Sequence, residues 1–402
     1  MKYTVEDVKN YIREEDVKFI RLAFCDVYGT QKNISVMPDE IDRAFTTGIA
    51  FDASAIKGFG DEARSDLFLC PDPSTLAVFP WRPEHGRVVR MFCSIKRPDG
   101  TVFENDTRSL LQRAVAAAAE KGVSFYFGAE MEFYLFLLDE NGEPTKIPYD
   151  NAGYMDIAPK DKGENVRREI CLALEQMGFR PEASHHEEGP GQNEIDFRYS
   201  DPLGAADDAI TFRSAVRTIA ARNGLFADFS PKPLRDKPGN GLHINFSAKL
   251  ADGTDVTTYA AAGVLDKVAD MTLFLNPVEN SYARFGKNKA PLYIAWSEQN
   301  RSPLIRIPAA AGEYRRAELR SSDSEANPYL AFALMIFAGL DGIERKKPLP
   351  APADFNFFTA PQETLNRFRT LPLSLAESRQ KAQSSEFIKT CLPLSLTDAY
   401  LL

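Results

Sequence analysis

Apolar and polar residues alternate with a period of two in four separate stretches of this chain, and in each stretch the polar positions carry charge. In Gly128-Ala-Glu-Met-Glu-Phe-Tyr-Leu-Phe136, Glu130 and Glu132 fall on one face while Met131 and Phe133 take the other. Glu194-Ile-Asp-Phe-Arg198 repeats the arrangement, and Leu242-His-Ile-Asn-Phe-Ser247 sets His243, Asn245 and Ser247 against Leu242, Ile244 and Phe246. Arg316-Ala-Glu-Leu-Arg320 sends Arg316, Glu318 and Arg320 to one face and Ala317 and Leu319 to the core. Each pattern predicts a β-strand with one apolar face and one wet, ionic face.

Other segments follow the helical period. Leu110, Leu111 and Ala114 predict a helix capped by Thr107 and ended by Gly122. Further helices are predicted over Glu164 to Met177, Asp207 to Asn223 and Pro328 to Gly339. Residues 1–100 read as a short helix followed by strands and turns, and the turn signal Arg97-Pro-Asp-Gly100 separates them from residues 101–402.

If the four strands line one sheet, Glu130, Glu132, Glu187, Glu194 and Glu318 converge on His243. Carboxylates so crowded raise one another's pKa, and a divalent cation relieves the conflict. Oxygen-rich ligation with a single imidazole suits Mg2+ or Mn2+ better than zinc, and six ligands suggest two ions. Arg284, Arg301, Arg306, Arg316 and Arg320 add forked donors matched to phosphate and carboxylate oxygens. Metal with arginine clamps is the equipment of phosphoryl transfer. Ordinary strands decorated with salt bridges would explain one such pattern; four with the same ionic face favour a site.

Composition narrows the class. Charged residues at 26% and hydrophobic residues at 44% describe a soluble globular protein, and a net charge of -9 gives no basic footprint for nucleic acid. The longest apolar run, Tyr329 to Leu340, is shorter than the roughly 20 residues of a membrane-spanning helix. The N-terminal residues lack the apolar stretch of a signal peptide, so a cytoplasmic protein is expected. The cysteines, Cys25, Cys70, Cys93, Cys171 and Cys391, are odd in number and scattered, against a disulfide framework or a zinc site. No Gly-x-x-x-x-Gly-Lys-[Ser/Thr] loop occurs, so a nucleotide would bind without a P-loop.

Five strings in one order, Gly128-Ala-Glu-Met-Glu132, His185-His-Glu-Glu-Gly-Pro-Gly-Gln-Asn-Glu194, Asn280-Ser-Tyr, Asn300-Arg-Ser and Arg316-Ala-Glu-Leu-Arg320, resemble the glutamine synthetase family of the bacterial type I. The resemblance implies an α+β fold: a small N-terminal β-grasp domain and a larger catalytic domain on a twisted, mainly antiparallel sheet with flanking helices. It implies Glu132, Glu187 and Glu194 as ligands of one ion and Glu130, His243 and Glu318 as ligands of the second. Arg284 resembles the residue that grips the α-carboxylate of glutamate, with the backbone at Gly239 nearby. Arg301 and Arg320 resemble groups that stabilise the transferred phosphate and the γ-carboxylate, and Arg306 and Arg316 resemble nucleotide-phosphate contacts. Glu182 and Ser247 sit where the family approaches the nucleoside. Asp52 matches an aspartate that helps bind ammonium from an adjacent subunit of a hexameric ring or double ring. The implied activity is an ATP-dependent ligase that forms a γ-glutamyl amide from glutamate and ammonia through a γ-glutamyl phosphate. Neither nucleic acid nor membrane is an expected partner.

The chain departs from the family pattern at several points. The flap between Tyr282 and Pro291 carries Lys289 where the family has a glutamate that closes the site and helps deprotonate ammonium, and the loop is one residue shorter. Asn245 stands where a second histidine is common, Pro238 replaces an asparagine, and Ala53-Ser-Ala55 follows Asp52. Phe358 replaces the modifiable tyrosine, and the C-terminal segment that clasps stacked rings in many relatives has no counterpart before Leu402. Two other readings follow: a γ-glutamyl ligase for a different amine, which Lys289 favours, and a catalytically idle regulatory homologue. The six intact ligands oppose the second, because an unused site has no reason to keep so costly a cluster of charge.

Overall fold

A computed structural model describes residues 3–82, 85–308 and 315–402. After helix α1 (Val5–Glu14), whose Thr4 and Asp7 cap its start reciprocally, the described N-terminal residues form a six-stranded sheet. Its strands are β1 (Val17–Cys25), β2 (Gln31–Val36), β3 (Ile49–Asp52), β4 (Asp66–Pro71), β5 (Ala77–Val78) and β6 (Arg87–Lys96), with helix α2 (Ile41–Thr46) between β2 and β3. The order is β2-β1-β6-β4-β3, parallel only between β1 and β6, and β5 pairs with β6. The amide of Gly100 donates to the carbonyl of Arg97, closing the predicted turn.

The second sheet has nine strands among the described residues: β7 (Val123–Leu138), β8 (Pro144–Pro148), β9 (Pro181–His186), β10 (Gln192–Phe197), β11 (Leu225–Asp228), β12 (Leu242–Leu250), β13 (Trp296–Ser297), β14 (Ile305–Arg306) and β15 (Ala317–Leu319). It runs β13-β14-β15-β12-β7-β10-β9, antiparallel except between β13 and β14. The long strand β7 is the spine, since β8, β10, β11 and β12 all pair with it.

One face of this sheet is covered by α3 (Thr107–Glu120), α5 (Pro202–Arg222), α6 (Thr257–Leu275) and α7 (Pro328–Glu344), with α4 (Glu164–Gln176) packed beside α5. Asp106, rather than Thr107, caps α3 by accepting from the amide of Arg108. Helix α5 begins at Pro202, earlier than its periodicity suggests, because Asp201 caps it and proline suits the first helical position. Helix α7 is apolar on nearly every side and buried; its Phe332 stacks on Phe127 of β7 with centroids 4.5 Å apart. A Cβ on Gly263 of α6 would lie 2.0 Å from the carbonyl oxygen of Ala338, so only glycine lets α6 and α7 approach this closely. Among the described residues no helix is long and apolar enough to cross a membrane.

Buried polar contacts join the two sheets' domains. Arg108 donates through Nε and Nη2 to both carboxylate oxygens of Asp207, each at 2.9 Å, and through Nη2 to Asp72. The Tyr329 hydroxyl donates to the same Asp207 at 2.6 Å.

Candidate active site

Register turns the separate alternations into rungs. Across β12, β7, β10 and β9, His243 pairs with Glu130, Glu130 with Asp196, and Asp196 with Ala183. On the next rung Glu132 pairs with Glu194, and Glu194 with His185. Paired residues share a face, so the acidic side chains of β7 and β10 stand together opposite the helices, flanked by His243 and His185. On the other side of β12, Asn245 pairs with Glu318, which pairs with Arg306.

These rungs floor a cavity of about 260 Å³ lined by Glu130, Glu132, Glu187, Glu194, His243, Gly239, Arg284, Arg301 and Arg320. The strand faces read from the sequence as wet are largely enclosed: Glu318 and Arg320 are only 2% and 3% exposed. Enclosure follows from the loops at 150–163, 231–241 and 284–290 closing over the sheet, which periodicity within a strand does not report.

Inside, partners set each charge. His243 Nδ1 lies 3.2 Å from Glu130 Oε2, and Asn245 Nδ2 donates to Glu130 Oε1 at 2.7 Å. Burial works against ionisation of Glu130, yet these contacts hold its carboxyl down at about 2. Glu132 Oε2 accepts from the Gly241 amide at 2.7 Å and from Gln192 Nε2 at 3.1 Å. Burial still lifts the Glu132 carboxyl. Burial, then the neighbouring Glu132, Asp196, Glu130 and Glu187, pushes Glu194 up to about 11. Burial and Glu130 lift Asp196 to about 7. His185 Nε2 sits 3.0 Å from Glu187 Oε1, a hydrogen bond that raises the imidazole.

This donor set fits a hard divalent cation. Several carboxylates that cannot all ionise side by side, with one or two imidazoles among them, are oxygen-rich ligation seeking positive charge. Ligand atoms of Glu130, Glu194 and His243 lie within 4.8 Å of one another, as do those of His185, Glu187 and Glu194. The grouping differs from the sequence-based partition by setting Glu194 beside Glu130 and His243 and by bringing in His185. A third cluster, Asp150, Asp161 and His186, is buried structure instead: Asp161 is paired with Arg167, and fully buried His186 spans Asp150 Oδ1 at 2.9 Å and the Glu187 carbonyl at 2.6 Å.

Glu318 does not line the cavity. Its Oε1 lies 3.9 Å from His243 Nδ1, but its carboxylate is taken up by Arg320 Nη1 and by Arg306 Nη1 at 3.1 Å. Arg316 Nε donates to Asn245 Oδ1 at 2.8 Å, outside the cavity lining. Arg284 is buried, with Nη1 and Nη2 each 3.2 Å from the carbonyls of Ser321 and Ser322 and its Nε without a partner. A Cβ on Gly239 would stand 2.3 Å from the Pro231 carbonyl and 2.7 Å from Arg284 Cγ, which accounts for glycine there.

Glu182, Ser247 and Asp52 lie outside the cavity lining. The register shift between Asp196 and Phe197 leaves Glu182 as the extra residue of a bulge on β9, and its charge acts on Asp196. Ser247 is two pleats along β12 from His243 on the same face. Asp52 ends β3 in the N-terminal sheet, exposed, with Oδ1 accepting from the Ser54 amide at 2.9 Å. Tyr154, Glu188 and Gln192 line the cavity without having been singled out, and Asp196, outside the lining, stands on the rung of Glu130. Alternation from Glu194 points to Asp196, and the 185–194 string contains Glu188 and Gln192, whereas nothing in the sequence places Tyr154 there.

The family model described as glutamine synthetase, catalytic domain, matches residues 104–402, and that described as glutamine synthetase, beta-Grasp domain, matches residues 16–98. A glutamine synthetase of Clostridium saccharobutylicum is 44% identical over 97% of this chain and 92% of its own. One of Methanosarcina mazei is 43% identical over 99% and 92%. The solved GmaS/ADP complex superposes with a TM-score of 0.89 at 28% identity, covering 98% of this chain and 94% of that one.

Proposed function

The chain belongs to the glutamine synthetase family, and from that premise we propose that it is an ATP-dependent ligase joining glutamate and ammonia through a γ-glutamyl phosphate. The observation that carries this reading is the meeting of Glu130, Glu132, Glu187, Glu194 and His243 with Arg284, Arg301 and Arg320 in one cavity.

In this reading the chain divides into a β-grasp domain, 1–100, and a catalytic domain, 101–402. Glu130, Glu132, Glu187, Glu194 and His243, with Glu318 behind them, would hold two divalent ions, Mg2+ or Mn2+. Bound there, the ions would neutralise phosphate oxygens and polarise the γ-phosphoryl group. Arg284 takes the α-carboxylate of glutamate beside the Gly239 backbone, and its enclosure strengthens that charge pair. The glutamate γ-carboxylate then attacks the terminal phosphorus of ATP, the bond to the bridging oxygen breaks with its electron pair on departing ADP, and Arg320 and Arg301 carry the charge that builds on the transferred group. Arg306 and Arg316, with Glu182 and Ser247, lie towards the nucleotide end. Ammonia displaces phosphate from the γ-carbonyl carbon in the second step.

Lys289 brings no carboxylate to the flap, and Asp52 lies outside its own chain's cavity. Asp52 therefore serves a neighbouring subunit's site in a hexameric ring or double ring. A different amine is the second reading, favoured by Lys289 among the cavity-lining residues. Phosphate release with ATP, Mg2+, glutamate and a panel of amines tests both. No glutamate-dependent release with any amine would overturn the ligase.

A further inference from the structure

The mouth of the cavity carries an ion pair that the chemistry above leaves unused, and we infer that it marks a subsite for a primary alkylammonium, filled in this structure by the ε-ammonium of Lys289. The subsite rests on the ligase reading, whose amine it would receive.

Two consecutive non-glycine residues of the flap, Asn288 and Lys289, hold positive φ of 46° and 67°. Left-handed backbone is disfavoured for such residues, so the conformation is imposed by its surroundings. The turn is closed by the Gly286 amide on the Ala290 carbonyl at 3.0 Å and the Ala290 amide on the Lys287 carbonyl at 2.9 Å. Its result is that Asn288, Lys289 and Ala290 line the cavity.

There Lys289 Nζ pairs with Glu188 Oε1 and lies 5.4 Å from the ring centroid of Tyr154. The Tyr154 ring is itself set edge-on against His185, centroids 5.4 Å apart. A carboxylate and an aromatic face around one ammonium head are the two elements that recognise a protonated primary amine. Glu188 is not one of the six proposed metal ligands, so its charge remains for this purpose.

The lysine side chain is n-butylammonium tethered at one end. Its seat here displays what the cradle accepts: a bare ammonium ion would keep the carboxylate contact but bring no stem. The pair is weak, because Lys289 and Glu188 are 54% and 36% exposed at their side chains. An exposed pair of this kind contributes little, because solvent screens it, so Lys289 acts as a displaceable competitor.

A bound alkylammonium that loses one proton to solvent attacks the γ-carbonyl carbon of the acyl phosphate. The C–N bond forms, the C–O bond to phosphate breaks with its electron pair on the departing oxygen, and a second nitrogen proton goes to that phosphate. The products are the N-alkyl γ-glutamyl amide and hydrogen phosphate.

The probe is n-butylammonium, titrated calorimetrically into the wild type, Lys289→Ala, and Lys289→Ala with Glu188→Gln. Lys289→Ala should bind it about fivefold more tightly than the wild type, and the double variant should lose that gain. Mass spectrometry should find N-butyl γ-glutamyl amide with ATP, Mg2+ and glutamate, formed faster by Lys289→Ala. Absence of binding to Lys289→Ala, or binding indifferent to Glu188→Gln, overturns the subsite, even where ammonium is converted normally. Binding in the expected order without ATP consumption for any amine supports the subsite and overturns the ligase reading instead.

Discussion

His243 Nδ1 stands 3.2 Å from Glu130 Oε2 because the two residues are register partners on β12 and β7. Glu130 also faces Asp196 across β10, so one imidazole serves a row of carboxylates. The sheet thus fixes Glu130, Glu132, Glu194 and His243, and the loop between β9 and β10 adds Glu187 beside them, which suits a site that must hold several like charges within a few ångströms.

A cation should therefore stabilise the protein strongly. Mn2+ or Mg2+ at about 100 times its dissociation constant contributes on the order of 2.7 kcal/mol, read as a rise in Tm. Glu132→Ala and Glu318→Ala should each lose most of that rise. Equal shifts in all three proteins would remove these residues from the ligand set.

Arg320 lines the cavity while donating to Glu318 on its own strand. Arg320→Ala should lower kcat about 100-fold or more and leave the ATP dissociation constant nearly unchanged, since its charge is assigned to the transition state. Normal kcat with weakened ATP binding would reassign it to the nucleotide.

Arg284→Gln should raise KM for glutamate about tenfold or more, as a buried charge-assisted contact is lost. Gly239→Ala should do the same through the clash with Pro231 and Arg284 rather than through charge. KM for ATP is the control, and equal rises for both substrates would mean a general distortion of the cavity.

Asp208, on α5 beside Asp207, is lifted to about 7 by burial and then by that neighbour. A carboxyl raised in the folded state contributes stability fully present below its unfolded pKa of about 3.9 and lost as pH rises through about 7. The wild type should accordingly lose Tm between about pH 4 and about pH 7, and Asp208→Asn should lose less over the same interval. Parallel pH profiles would mean that the group titrates normally.

Mass measurement in solution should give a closed ring, hexamer or double hexamer, as cyclic symmetry favours. Asp52→Ala should then depress turnover without changing the mass. A fully active monomer is the outcome incompatible with a shared site.

The sequence by itself determined which residues share a face. A period of two is a property of one strand, so the placement of Glu130 with Glu132, of His243 with Asn245, and of Glu318 with Arg320 follows from local geometry. Caps are equally local: Asp201 and Asn327, each followed by proline, start α5 and α7. What only the tertiary structure decided is how strands from distant parts of the chain register and what closes over them. Register sets Glu194 against Glu132, and a bulge on β9 leaves Glu182 without a register partner. Folding over the sheet buries Glu318 between Arg306 and Arg320, and carries Lys289 across to Glu188 and Tyr154. Those contacts join residues as many as 135 positions apart, Tyr154 to Lys289, and their geometry depends on packing between whole elements, for which no local periodicity is a signal.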